Sequence, residues 1–165
     1  MNRFAKFIWK IVRHYDHNKY WSRRNYIQNI NGKINFKFLW YVLYVKKIDA
    51  YWNASTGVVL GPGSAIFDSP PNLPHDLNGI IIARGTKIGK NACIFHQVTI
   101  GCDHKKIENV PEIGDDVTIF PGAKIFGKIK IGDRVKIGPN AVVYFDVPSD
   151  STVVAGTSYI LKKKN

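Results

Sequence analysis

The sequence predicts a mainly β protein, a parallel β-helix of hexapeptide repeats preceded by a short α-helical N-terminal region. Two observations carry this prediction. Aliphatic residues recur every six positions through the second half of the chain, and the first 52 residues instead combine aromatic and basic residues at helical spacing. A period of six fits neither an amphipathic helix nor an alternating strand. It fits short strands joined by tight turns and stacked in coils.

The repeat places one aliphatic side chain at the centre of each short strand. These residues are Ile82, Ile88, Ile94, Ile100, Ile113, Ile119, Ile125, Ile131, Ile137 and Val143. Small or β-branched residues follow four places later, at Thr86, Ala92, Val98, Val117, Ala123, Ile129, Val135 and Ala141. We expect both sets to fill a narrow core, which becomes stable only when several coils stack.

The rhythm breaks twice. If Leu60 and Ile66 continue it backwards, about ten residues are inserted near 72–81. A second insertion falls near 103–109, between Ile100 and Ile113. Insertions in a solenoid become loops, and loops on one face usually form the binding site. His75 lies in the first loop and His104 in the second.

The N-terminal region, residues 1–52, carries 11 Lys and Arg against 2 Asp and Glu, most of the net charge of +12. Residues 4–12 and 38–52 hold apolar side chains at helical spacing. Two interpretations stay open. These helices cap the solenoid or a contact between subunits, or they lie on an anionic membrane surface. Residues 53–160 are assigned to the solenoid and 161–165 to a basic tail.

Composition narrows the classes of function. No apolar run is long enough for a transmembrane helix, and the N-terminus lacks the features of a secretory signal. We therefore expect a cytoplasmic protein, at the inner face of the membrane if the helices bind lipid.

Cys93 and Cys102 have neither disulfide nor zinc spacing and are expected to be reduced thiols. Basic charge without a recognised motif is weak support for nucleic-acid binding, which is not expected.

Residues 55–157 resemble the left-handed β-helix acyltransferases, in their serine acetyltransferase-like branch. The resemblance rests on PHDLNGIIIARGTKIGKNACIFHQVTIG, on PEIGDDVTIFPGAKIFGKIKIGDRVKIGPNAVV, and on the DVP and VVAG that follow. It implies a left-handed solenoid, a homotrimer, acetyl-CoA as co-substrate without a metal, and O-acetylation of a hydroxyl. In this family a histidine shortly before a GIVI-like strand is the catalytic base, and His75 before Gly79–Ile82 matches it.

The chemistry requires such a group. An alcohol attacks a thioester poorly, and a neutral imidazole can accept its proton as attack proceeds. A backbone N–H is the simplest donor to the oxyanion that forms. A histidine base is usually oriented by a carboxylate, for which Asp68 and Asp76 are the candidates, with a backbone carbonyl as the alternative. A purely structural role in the loop is the competing interpretation of His75.

The remaining candidates would bind substrates. His96 lines the same cleft or is a plain coil histidine. His104 contacts the acceptor or is a solvated loop residue, and Asn78 shapes the loop or contacts the acceptor. Asp76 is a further candidate contact of the acceptor. The resemblance implies that coenzyme A lies along the C-terminal coils between subunits. The small residues suited to close approach there are Gly122, Ala123, Gly138, Ala141, Ala155 and Gly156. Either the tail lysines Lys162, Lys163 and Lys164, or Arg134 and Lys136, would face the nucleotide phosphates.

The sequence departs from the serine enzymes where they hold the ends of serine. Pro74 stands where they place an Asp before the base, and Asn109 and Val110 stand where they carry Arg-His. The usual AGxPA is AGTSY. The loss of both charge partners favours a sugar acceptor in polysaccharide biosynthesis, with serine O-acetylation in cysteine biosynthesis as the alternative. Two further classes stay open: a non-catalytic trimeric scaffold, and a zinc-dependent carbonic anhydrase-like protein with His96 and His104 as ligands.

Overall fold

The computed structural model describes residues 14–30, 34–60, 63–103 and 105–156. Two helices precede a solenoid of short parallel strands. Helix α1 spans His17–Gln28 and begins at the N-cap Asp16, whose carboxylate accepts the N–H of Lys19. Helix α2 spans Phe36–Tyr51, and the side chain of its N-cap Asn35 accepts the N–H of Phe38. Such caps satisfy backbone donors that a helix leaves free. The helix predicted over residues 4–12 lies outside the described residues.

The solenoid has three parallel sheets, each with one strand from successive coils. The strands are β1 (Ser55–Thr56), β2 (Ile66–Phe67), β3 (Ile81–Ile82), β4 (Lys87–Ile88), β5 (Cys93–Ile94), β6 (Thr99–Gly101), β7 (Glu112–Ile113), β8 (Thr118–Ile119), β9 (Lys124–Phe126), β10 (Lys130–Ile131), β11 (Lys136–Ile137), β12 (Val142–Val143) and β13 (Thr152–Val153). Sheet A has the order β1-β3-β6-β9-β12, sheet B β2-β4-β7-β10, and sheet C β5-β8-β11-β13. This is the parallel β-helix predicted from the repeat, in the left-handed form that the family resemblance implies.

The core consists of the two sets of side chains that the repeat singled out. All ten aliphatic positions from Ile82 to Val143 are buried, and so are all eight positions four residues later. Equivalent residues stack between coils: Ile82 pairs in register with Ile100, which pairs with Ile125. Each side chain therefore contacts its counterparts in the coils on either side, which explains why one repeat alone could not bury it.

In the first coil, the residues that point inward differ from those predicted. Leu60 and Ile66, used to extend the rhythm, are exposed by 68% and 43%, whereas Phe67 is buried and pairs with Ile88. Asn72 bridges to Cys93, and the next residue, Leu73, is buried. Ile82 follows Leu73 three positions later than a regular hexad would place it. The insertion before β3 is therefore much shorter than the ten residues expected, because Ile66 and Phe67 are both apolar and the wrong one was taken as inward.

The helices close the first coil through buried polar groups. Arg24 of α1 is buried, and its Nη2 donates to the carbonyl oxygens of Thr56 (2.8 Å) and Ala65 (2.7 Å). The hydroxyl of Tyr20 donates to Asp49 of α2 at 2.5 Å. Burial lowers the pKa of Arg24 to about 10 and raises that of Asp49. These bonds end the solenoid with polar contacts to its terminal backbone, which supports the capping interpretation of the N-terminal region.

Candidate active site

The candidate site lies at the corner where the chain turns from sheet C into sheet A. His75 is on the loop that enters β3, and His96 follows β5 one coil later. Their Nδ1 atoms are 2.5 Å apart, and the ring centroids are 4.5 Å apart. His75 is exposed and His96 is half-buried. The structure thus brings together two histidines that the sequence separates by a full coil.

The loop that carries His75 is fixed by backbone hydrogen bonds. The N–H of Asp76 donates to Leu73 (3.1 Å), and Asp76 has a left-handed φ of 54°. The N–H of Gly79 donates to Trp52, and the carbonyl of Asn78 accepts from Gln97 at 2.9 Å. Aspartate and asparagine tolerate this region of φ better than most residues. The loop is therefore tied both to the helical cap and to the coil that carries His96.

His96 lies on the solenoid itself. The preceding residue, Phe95, donates its N–H to Ile119 (3.0 Å), and the carbonyl of His96 accepts from Gly122 at 3.1 Å. The ring of Phe95 meets His75 edge-on at 5.7 Å and stacks on Phe120 at 5.4 Å. Two half-buried aromatic rings thus support the histidine pair on one side. They were not predicted, although aromatic residues directly after the inward Ile94 and Ile119 were a visible signal.

The two carboxylates predicted to orient His75 lie on different segments. Asp68 follows β2, at the corner between sheets B and C, and its N–H donates to Ile88. Asp76 is on the loop of His75 and acts on His17 of α1: burial lowers the pKa of His17, and the charge of Asp76 opposes that shift. The group that contacts Nδ1 of His75 is the ring of His96. Asn78 is exposed on the same loop.

The second insertion does not share this corner. It begins after Gly101, at the end of β6, whereas the His75 loop precedes β3. Since β3 and β6 are neighbouring parallel strands, the two loops leave sheet A at opposite edges. Asp103 organises the second loop by accepting from the N–H groups of Lys105 and Lys106 and from Asn109. Within the described residues, the two loops therefore do not share one face of this chain. His104 lies outside the described residues.

Only some of the small residues proposed to contact coenzyme A lie at the corner that carries His96. Gly122, Gly138, Ala155 and Gly156 lie on it in the later coils, and Gly122 has a φ of 73° and no room for a side chain beside Asn140. Ala123 and Ala141 point into the core, so only their backbone faces the corner. Arg134, at another corner, is paired with Asp150 at 2.6 Å. Lys136 is exposed, and Lys162, Lys163 and Lys164 lie outside the described residues.

Lys124 is a further polar group near this corner. Its Nζ donates at 2.7 Å to the carbonyl of Gln97, the residue that follows His96.

Among the described residues, no group of three or more His, Cys, Asp or Glu side chains is placed to hold a metal ion. Within the same ranges, neither helix has the length and apolar character needed to cross a membrane.

Comparisons with known proteins agree with the fold. The family described as bacterial transferase hexapeptide (six repeats) matches residues 111–144. The serine acetyltransferase of Staphylococcus aureus is 40% identical over 109 residues, which are 66% of this chain and 50% of that protein. The crystal structure of the Neisseria gonorrhoeae serine acetyltransferase superposes with a TM-score of 0.61 at 30% identity, covering 72% of this chain and 45% of that one.

A third relative was solved with a bound amino acid. Serine acetyltransferase isoform 3 of Entamoeba histolytica, in complex with cysteine, gives a TM-score of 0.60 at 27% identity. It covers 77% of this chain and 44% of that one. The chain therefore spans about half the length of the relatives it matches.

Proposed function

Because the chain is a hexapeptide-repeat left-handed β-helix of the serine acetyltransferase-like branch, we propose that it transfers an acetyl group from acetyl-CoA to a hydroxyl group. The observation that carries this proposal is the contact of His75 with His96 at a solenoid corner, beside a row of small residues. His75 is the general base. It accepts the acceptor's hydroxyl proton as the oxygen attacks the thioester carbonyl, and backbone N–H groups of the corner stabilise the oxyanion.

Two acceptors have support. The similarity to serine acetyltransferases favours L-serine, which would make the reaction a step that supplies O-acetylserine. Pro74 and Val110 favour a sugar, because they leave the amino and carboxylate groups of serine without the charges that hold them in the relatives. Lys124, whose Nζ donates to the carbonyl of Gln97, offers a carboxylate one alternative partner. The similarity to several serine enzymes makes serine the first acceptor to test.

The acceptor and the base are tested together by measuring CoA release from acetyl-CoA with L-serine, sugars and nucleotide sugars. His75→Ala should lower kcat by about 10²–10⁴-fold, since a positioned general base contributes that much. His14→Ala is the matched control, because His14 is an exposed histidine that packs on Tyr51 outside the site. Turnover with serine alone would exclude the sugar. An unchanged rate in His75→Ala would exclude the mechanism.

Two further properties are part of the proposal. The family resemblance implies a homotrimer, in which neighbouring subunits would share the groove along the C-terminal coils. The exposed face of α2 supports contact with an anionic membrane. Its residues Phe36, Trp40 and Leu43 form one stripe and are exposed by 82%, 57% and 59%. Such a contact would place the enzyme at the inner face of the membrane, beside any lipid-linked acceptor.

A further inference from the structure

The contact between His75 and His96 restricts where the ring protons can be. Two Nδ1 atoms at 2.5 Å share one hydrogen bond, so one ring must donate a proton and the other must accept it. If His75 accepts, its own proton sits on Nε2 and the ring has no free lone pair for a substrate. If His75 donates, Nε2 keeps its lone pair and can act as a base. The two arrangements therefore differ in whether His75 can catalyse at all.

We propose that His96 is a positioning residue that accepts the Nδ1 proton of His75 and so holds His75 in the tautomer with a free Nε2. This rests on the proposed role of His75 as the base. In many hydrolases a carboxylate does this work. Here a neutral imidazole does it, and the proton of His96 is on its own Nε2. The two tautomers are linked, because each fixes the other.

The surroundings favour this assignment. His96 belongs to a rigid coil, with hydrogen bonds to the next coil on either side of it, from Phe95 to Ile119 and from Gly122 to His96. His75 belongs to a loop and is the more exposed of the two. With His96 as the acceptor fixed on the solenoid and His75 as the base at the surface, a substrate could reach Nε2 of His75. The edge of Phe95 limits rotation of the His75 ring.

The proposal gives a balanced reaction. The acceptor's O–H proton moves to Nε2 of His75 while its oxygen bonds to the thioester carbon. The imidazolium of His75 keeps its Nδ1 proton in the bond to His96. When the tetrahedral intermediate breaks its C–S bond, the CoA sulfur takes the proton from Nε2. His75 then returns to its starting tautomer, and His96 has changed neither its charge nor its proton.

The test is the tautomer of His75, read from two-bond ¹H–¹⁵N correlations of histidine-labelled full-length protein, with signals assigned by His75→Ala. We expect neutral His75 to carry its proton on Nδ1 in the wild type and in His96→Asn, whose Oδ1 can still accept it. In His96→Phe we expect His75 to move mainly to the Nε2-protonated form. A wild-type His75 protonated on Nε2 would overturn the proposal, and so would an unchanged tautomer in His96→Phe.

Kinetics give a second readout. His96→Phe should lower kcat by about 10–100-fold, as loss of a supporting partner commonly does, while the KM values for acetyl-CoA and acceptor stay within about twofold. His96→Asn should recover most of kcat. Equal losses in both variants, or a loss confined to KM, would contradict a positioning role. The spectra need no substrate, so failure of every acceptor would refute the proposed function and leave the tautomer result to decide the role of His96.

Discussion

At the scale of single residues, the candidate site depends on a contact between two histidines from successive coils. His75 was predicted from its place in a break of the repeat, and His96 from the coil that follows. Their direct contact was not predictable, since it depends on a loop whose Asp76 adopts a positive φ and on the stacking of two coils. Asp68, Asp76 or a backbone carbonyl was expected to orient His75, and the sequence offers no local signal that the ring of His96 contacts it instead.

Arg24 shows a second limit at this scale. It belongs to the basic N-terminal region, which was predicted to cap the solenoid or to lie on an anionic membrane surface. Arg24 is only 1% exposed and donates to backbone carbonyl groups of Thr56 and Ala65. Its neighbour Arg23 lies over the ring of Tyr44 at 3.9 Å. Composition cannot separate these two roles, because both depend on how α1 is rotated against the first coil.

This difference predicts the cost of removing each guanidinium. Arg24→Met should lower the free energy of unfolding by about 3 kcal/mol, because two buried carbonyl oxygens lose their donor and each loss costs about 1–3 kcal/mol. Arg23→Met, the matched control, should cost only about 1 kcal/mol, the scale of a cation–π contact such as the half-buried one between Arg23 and Tyr44. Urea denaturation followed by circular dichroism measures both. Similar losses in the two variants would show that the bonds of Arg24 contribute little.

Elements were predicted best where the period was regular. Every strand from β3 to β12 follows the hexad pattern, because the inward positions are too crowded for any other residue to point into the core. The prediction failed in the first coil, because Ile66 and Phe67 are adjacent and only the pairing of β2 with β4 selects Phe67 as the inward residue. Helix α2 was predicted from its apolar spacing, but its two faces differ. Phe38, Val42 and Val45 are buried in the core, whereas a second stripe of apolar side chains is exposed.

The exposed stripe of α2 predicts binding to anionic lipid. Phe36, Leu39, Trp40 and Leu43 are continued by the exposed Lys47, and the one acidic residue of the helix, Asp49, is buried. A second copy of the same face would bring lysines together, which charge repulsion opposes, whereas an anionic surface complements them. The protein should sediment with vesicles of phosphatidylglycerol and phosphatidylcholine, and less with phosphatidylcholine alone.

The matched variants are Trp40→Gln with Leu43→Gln on the stripe, and Leu60→Gln on the solenoid, where the leucine is equally exposed. The double variant should lose at least about tenfold in vesicle binding, since burying each apolar side chain contributes roughly 1.5–3 kcal/mol. Leu60→Gln should bind as the wild type does. Equal binding to neutral and anionic vesicles would contradict the proposal, and a smaller oligomer in the double variant would assign the stripe to a second copy instead.

At the scale of the whole molecule, the sequence predicted the solenoid but not how its loops are distributed. Counting the period shows that residues are inserted and roughly how many. It does not show which edge of which sheet each loop leaves. The structure places the His75 loop before β3 and the Asp103 loop after β6, at opposite edges of sheet A. A cleft that uses both loops therefore requires two copies, with the base from one and the second loop from its neighbour.

This arrangement predicts complementation between inactive variants. His75→Ala removes the base, and Asp103→Ala removes the acceptor of two backbone N–H groups that shape the second loop. Each variant alone should be nearly inactive. Subunits unfolded together and refolded as a 1:1 mixture should regain about a quarter of the wild-type rate. In a cyclic trimer each site would need an intact His75 from one subunit and an intact Asp103 from its neighbour, and about one site in four has both.

The control mixture combines His75→Ala with His96→Phe, whose altered residues contact each other within one chain. It should regain no more than its two parents supply, since no copy in it carries both histidines. Recovery in this control would show that the pair forms between chains. Absence of recovery in the first mixture, or full activity of Asp103→Ala alone, would confine the site to the His75 corner of a single copy and remove the second loop from the mechanism.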